Sequence, residues 1–338
     1  MSTNPGRALP RPETVHSAVG AALRAPSVHN VQPWRWRISA DRIELYADPE
    51  RRLPFTDPNR RDHLISCGAA LLHLHVALAA AGAGHKIVRF PDGDRDHLAT
   101  VRFTGSPPDQ QSRAEAPLAR AIAHRHTDRR PFTAGLVARH TRAALGFHAA
   151  RYGVTMHTVS GDLARGHLAR GHLADLELEA AREMRTRPGQ AAELLVWTHR
   201  YAGSGDGVHA ESVPVSARRP CEPDLGVRFP PGSLPVPRTG QDRATIVVLT
   251  TPADDDPARL AAGEAAGAVL LAATRSGFAT CPLSRLLEAT QTRSDVARQV
   301  LRTPDRPQLL IRIGRAPDDR ELPTTPRRRL SDVLVHGT

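Results

Sequence analysis

Two stretches of this 338-residue chain place polar side chains where they could grip a flat, phosphorylated ligand. In the segment Ala25-Pro26-Ser27-Val28-His29-Asn30-Val31-Gln32-Pro33-Trp34, two prolines impose an extended, non-helical path. Ser27 and Asn30 then offer small polar groups of the kind that meet the carbonyls and ring nitrogens of a heterocycle, although such a loop could equally be an elaborate turn. In Arg125-His126-Thr127-Asp128-Arg129-Arg130-Pro131-Phe132, an extended path or helix start sends Arg125, Thr127 and Arg129 to one side. Two cations and a hydroxyl can converge there on a phosphate dianion, each charged contact contributing about 1.5–3 kcal/mol. A solvated basic loop is the competing reading.

These segments need a scaffold, and the periodicities supply one. Glu13 to Arg24 has helical spacing, with Val15, Val19, Ala22 and Leu23 on one side, and stops at Pro26. Trp34 to Ala47 alternates around a turn at Ala40-Asp41 and predicts a two-stranded hairpin. Ile65 to Ala81 reads as a buried helix ending at Gly82, Ala99 to Phe103 as a strand, and Gly105 to Ala116 as a linker. A helix through Ala121, a strand at Val154 to Val159 and a helical stretch from Asp162 to Thr186 follow. The stretch from Tyr201 to Pro237 holds seven prolines and predicts a long irregular excursion, disordered or functional. Thr245 to Thr250, Ala258 to Ser276 and Leu309 to Ile313 read as strand, buried helix and strand. Gly68 and Gly82 stand 14 apart, as do Gly263 and Gly277, each pair enclosing an apolar helix. That spacing suggests one unit used twice; chance glycines in Ala-rich helices would look the same.

Composition narrows the function. With 40% hydrophobic and 24% charged residues the chain is globular, and no run approaches the roughly 18–20 apolar residues of a bilayer span. The start from Met1 to Pro12 lacks an apolar segment of the secretory kind, so a cytoplasmic protein without membrane partners is expected. The net charge of +11 is almost all arginine, Lys86 being the single lysine, and reflects genome bias more than phosphate binding. Aromatics make up 4% and are not interleaved with arginine, which argues against nucleic acid as partner. Cys67, Cys221 and Cys281 form no paired motif, and the histidine pairs His73/His75 and His167/His172 do not share a helix face, so no metal is expected.

The block from Ala25 to Trp34 closely resembles the A-P-S-x-x-N-x-Q-P-W loop of the FMN-dependent nitroreductase family. Arg125-His126-Thr127-x-Arg129, followed by Phe132, resembles that family's phosphate-binding R-[RH]-S-x-[RK] segment, with Pro131 as an extra residue. Ala279 to Ser284 is similar to the loop passing the flavin's central ring, where Pro282, Leu283 and Ser284 would lie and a backbone N–H could reach N5. Arg285 stands where many members have glycine, and its bulk would crowd the reactive face. Ile313-Gly314 with Pro326 to Leu330 is similar to the closing strand and basic tail, from which Arg327 and Arg329 would complete the phosphate site.

Ordinary nitroreductases are homodimers with the flavin between subunits. Here the P-S-x-x-N loop lies in the first half and the remaining parts in the second, the arrangement of the Acg subfamily of actinobacterial nitroreductase-like proteins. The resemblance implies an α+β, nitroreductase-like fold of two tandem halves, 1–110 and 111–338, forming a pseudo-dimer within one chain, with a lid at about 201–240. It also implies one FMN held by Pro26, Ser27, Asn30, Arg125, His126, Thr127, Arg129, Pro282, Leu283, Ser284, Arg327 and Arg329, in a chain that is itself a monomer. Hydride transfer through flavin N5 needs no side-chain acid or base, so none is assigned. NAD(P)H would donate electrons to a small nitro- or quinone-type substrate. The alternatives are a protein that sequesters flavin and a dehydrogenase of a dedicated metabolite.

Overall fold

The computed structural model describes residues 9–133, 137–159, 163–186, 188–198, 200–201, 203–215, 229–236 and 242–335. Met1, Cys221 and much of the proline-rich excursion, Pro220, Pro223 and Pro237 included, lie outside the described residues. In chain order the elements are α1 (Pro12–Ala22), β1 (Trp34–Ile38), β2 (Arg42–Ala47), α2 (Arg61–Ala80), β3 (His85–Arg89), β4 (His97–Phe103) and α3 (Gln110–Glu115). After them come α4 (Arg139–Ala150), β5 (Thr155–Thr158), α5 (Leu163–Thr186), α6 (Pro188–Thr198), β6 (Thr245–Thr251), α7 (Asp256–Arg275), β7 (Ala279–Leu283), α8 (Arg285–Glu288), α9 (Thr290–Asp295) and β8 (Arg306–Gly314).

The centre of the molecule is the crossing of α2 and α7, each of 20 residues and each buried on nearly every face. Composition makes this contact possible. A Cβ added to Gly68 would stand 2.1 Å from the Leu260 carbonyl, and one added to Gly263 would stand 2.1 Å from the Ile65 carbonyl, so the backbones touch through reciprocal glycines. Both helices then stop at a glycine with φ near +75°, Gly82 and Gly277, a left-handed cap that other residues adopt at a cost. Asp255 caps the start of α7 by accepting from the Ala258 N–H at 2.9 Å. By length and composition α2 could cross a membrane, contrary to the sequence expectation, yet 89% of its most apolar window is inside the protein.

Two antiparallel four-stranded sheets flank the helices, in the orders β1-β2-β4-β3 and β5-β6-β8-β7. The expected hairpin is β1–β2, with Trp34 and Trp36 fully buried on its inner face. A tail from the second half closes the edge of this sheet: the Trp36 N–H donates to the Val333 carbonyl at 2.7 Å, and the Val335 N–H to the Trp36 carbonyl at 2.8 Å.

Three expectations change. The segment Gly105 to Ala116 contains α3, capped by Asp109. α2 begins at Arg61, four residues ahead of the apolar run, because Arg61 and Asp62 are buried as a pair at 2.8 Å and continue the helix. The block from Ala279 is strand β7 rather than a loop, since β8 offers it a full hydrogen-bonding edge.

Candidate functional site

An open cleft of about 950 Å³, part of it solvent, lies where α2, α7 and β7 meet the loop between α1 and β1. That loop is held by its own polar groups. The Ser27 hydroxyl accepts from the Gln32 N–H at 3.0 Å, and the Ser66 hydroxyl on α2 accepts from the Val28 N–H at 3.1 Å. His29, Asn30 and Gln32 all have φ between 46° and 54°, a left-handed conformation that costs non-glycine residues energy and concentrates at functional loops. Pro26, Ser27, Val28 and His29 form one wall of the cleft.

The opposite wall follows from strand alternation. Thr127 bridges Thr280 of β7, and the Asp128 N–H donates to the Thr280 carbonyl at 2.9 Å, so residues 127–130 run extended beside the sheet. Asp128 and Arg130 turn inward and lock together, with Arg130 Nε 2.9 Å from Asp128 Oδ1 and both residues 1% exposed. Thr127 and Arg129 therefore turn toward the cleft, where Pro282, Leu283 and Ser284 join them. Arg129 lies over the Phe229 ring at 5.1 Å and donates to the Ser212 carbonyl.

Arg125 and Arg327 form a separate cation cluster next to this wall. Arg125 donates weakly to the Arg24 carbonyl at 3.4 Å, and Arg327 donates to the same carbonyl at 3.2 Å. Buried Nε and Nη1 of Arg125 and Nε of Arg327 have no hydrogen-bond partner. Burial, then repulsion from Arg24, brings the Arg125 guanidinium down to about 10; burial, then Arg125 and Arg24, brings Arg327 down to about 9. His126 is pushed down as well, by burial and then by these same arginines. Among the described residues no carboxylate pairs with either buried guanidinium. Gathering like charges out of water with donors unused is costly unless something compensates them.

Seven of the twelve expected residues line the cleft, namely Pro26, Ser27, Thr127, Arg129, Pro282, Leu283 and Ser284. Arg125, His126 and Arg327 gather in the cation cluster. Two lie elsewhere. Asn30 does not line the cleft, because its amide nitrogen donates to the carbonyls of Gly207 at 3.1 Å and Pro326 at 3.2 Å, tying the loop to the second half. Arg329 is exposed at the start of a short helical turn, where its N–H meets Asp332. Arg24 takes the place in the cluster that the sequence reading gave to Arg329; its position directly before the Ala25 block was the available signal. His29, Asp62 and Glu177 also line the cleft without having been singled out. Glu177, on α5, pairs with Arg285 at 2.6 Å, and both line the cleft.

Three buried imidazoles are also depressed, one of them partly by the arginine cluster. Burial and then Arg125 depress His73 to about 3, burial and then Arg60 depress His63 to about 3, and burial lowers His85 to about 4. In the unfolded chain these imidazoles take up protons near pH 6.5. The folded protein thus binds fewer protons across the interval below that value, and stability complete above about pH 6.5 is lost as pH falls, by up to about 1.4 kcal/mol per pH unit per histidine. Urea midpoints should be lower at pH 5 than at pH 7, and the difference should shrink in His73→Leu; equal midpoints would contradict the assignment.

Fold and site together define a mixed chain of helices and two antiparallel sheets with a cleft and a cluster of arginines beside it. No family model matches the chain. It is 41% identical over 331 residues to a Mycobacterium tuberculosis protein named "Putative NAD(P)H nitroreductase", with 96% of this chain and 92% of that one covered. It is 36% identical over 326 residues to the "Putative NAD(P)H nitroreductase acg" of the same organism, covering 95% of each. The chain belongs to the family of these mycobacterial proteins, the Acg-type nitroreductases. Among solved structures, the FMN-dependent nitroreductase NfnB from Mycobacterium smegmatis in complex with NADPH aligns with a TM-score of 0.41 and 18% identity, over 66% of this chain and 99% of that one.

Proposed function

We propose that this chain is an FMN-binding oxidoreductase of the NAD(P)H nitroreductase type, with one flavin in the cleft between two tandem halves. The observation that carries this reading is buried Arg125 beside half-buried Arg327: the unused Nε and Nη1 of the first and Nε of the second, with their depressed guanidinium values, fit a phosphate group. The adjoining cleft, with apolar walls from Ile65, Leu270 and Leu309, fits a flat ring system. Arg125 and Arg327, with Arg24 beside them, neutralise the phosphate. Thr127 and Ser27 offer hydroxyls, and the backbone at Ser284 is the candidate donor to the ring. Bound there, FMN supplies two-electron chemistry, accepting hydride from NAD(P)H and delivering it to a small nitro- or quinone-type acceptor. The common order of the two sheets supports the reading of a duplicated unit that makes a pseudo-dimer within one chain, and hence a monomer.

A second reading, flavin sequestration, is favoured by the Glu177–Arg285 pair on the rim. One experiment addresses both. Purified protein should be yellow with one flavin per chain, and NADH or NADPH should bleach it under anaerobic conditions. Bleaching by dithionite alone selects sequestration; two flavins per chain, or none, refute the proposed site.

A further inference from the structure

The two sheets and the two crossed helices correspond residue by residue. Gly68 and Gly263 are 195 apart, as are Gly82 and Gly277 and the first residues of α2 and α7. The same separation continues into the next strand, since His85 faces Phe103 across β3 and β4 while Thr280 faces Ile313 across β7 and β8. Both sheets carry a bulge at the matching place, Leu45/Tyr46 and Leu249/Thr250. Under this correspondence the cleft residues Ala69, Leu270 and Ser284 have Glu264, His75 and Arg89 as counterparts.

That counterpart position is filled. Arg89 Nε and Nη2 each lie 2.7 Å from a Glu264 oxygen, a bidentate pair in which Glu264 is 1% exposed. His75 Nε2 is 3.0 Å from Glu115 Oε2, which also accepts from the Tyr152 hydroxyl at 3.1 Å. Tyr152 belongs to the four-residue turn, 151–154, between α4 and β5. The equivalent connection between α1 and β1 has eleven residues, 23–33, and carries Ser27 and His29.

Resting on the reading that the cleft holds FMN, we propose that the Arg89–Glu264 pair, backed by His75, Glu115 and Tyr152, occupies the counterpart of the cleft and closes a second cofactor position, limiting the chain to one flavin. The pair belongs together: a buried carboxylate stripped of its arginine would be uncompensated, so both residues must change at once.

Two variants test this. Arg89→Ser with Glu264→Ala installs the residues found at Ser284 and Ala69, and the probe is lumiflavin, the ring system without phosphate, titrated into the FMN-loaded protein and followed by fluorescence quenching. One further equivalent should bind to the variant and none to the unmodified chain; a folded variant that takes up no lumiflavin overturns the proposal. The converse change, Ala69→Glu with Ser284→Arg, transplants the pair into the cleft and decides the matter if the first variant does not fold. It should cut retained FMN at least tenfold with unchanged circular dichroism, whereas full FMN content overturns the proposal. An unmodified chain that holds no FMN would instead refute the flavin reading, and the lumiflavin titration would still report on the counterpart position.

Discussion

Arg125→Ala combined with Arg327→Ala should yield a folded protein that leaves purification colourless. Each guanidinium–phosphate contact contributes about 1.5–3 kcal/mol, so losing both weakens retention about 10²- to 10⁴-fold. The companion expectation concerns the protein without ligand. Arg125 is buried and Arg327 half-buried, and they repel each other and Arg24, so removing them relieves repulsion. Urea unfolding of the flavin-free variant should therefore occur at the same denaturant concentration as the flavin-free parent or a higher one. Loss of flavin with a lowered midpoint would point to a structural role instead. Unchanged flavin content would remove both arginines from the phosphate site. Arg125→Lys should restore little, because an ammonium cannot present the planar fork of donors.

The second large effect is expected at the helix crossing. Gly68→Ala and Gly263→Ala each place a methyl group 2.1 Å from a carbonyl oxygen of the facing helix, and backbone cannot step aside as a side-chain tip can. The helices must separate, at a cost toward the upper end of ~1–3 kcal/mol. Because the cleft takes Ile65 and Ala69 from α2 and Ala266 and Leu270 from α7, separation should also loosen whatever the cleft holds. The control is Gly20→Ala in α1, where an added Cβ meets nothing within 4 Å. That change should stabilise by about 0.5–1 kcal/mol through helix propensity alone. Thermal melts of the three variants read the contrast, and similar melting temperatures for Gly68→Ala and Gly20→Ala would refute the close crossing.

Local physics determined much of this protein from sequence alone. The W-R-W-R alternation can bury both tryptophans only as a strand, and the hairpin from Trp34 to Ala47 followed. The glycine spacing marked two helices whose caps and contact points are the same glycines. Alternation predicts Arg125, Thr127 and Arg129 on one side. Thr127 and Arg129 share the cleft, but Arg125 does not join them, because its N–H still donates to the Ala121 carbonyl in a helical turn and the extended path starts only after it. What depends on distant partners could not be read. Asn30 looked like a ligand group, and its amide is used by the Gly207 and Pro326 carbonyls, 177 and 296 residues away. Arg329 and Arg24 are equally ordinary in sequence; only the packing of the tail against the loop brings Arg327 onto the Arg24 carbonyl and turns Arg329 away to Asp332. Spacing along the chain governs which way a side chain points from its own backbone, whereas the unpaired charge at Arg125 and the Glu177–Arg285 pair on the rim arise from desolvation and contact between segments, which exist only once the tertiary structure has formed.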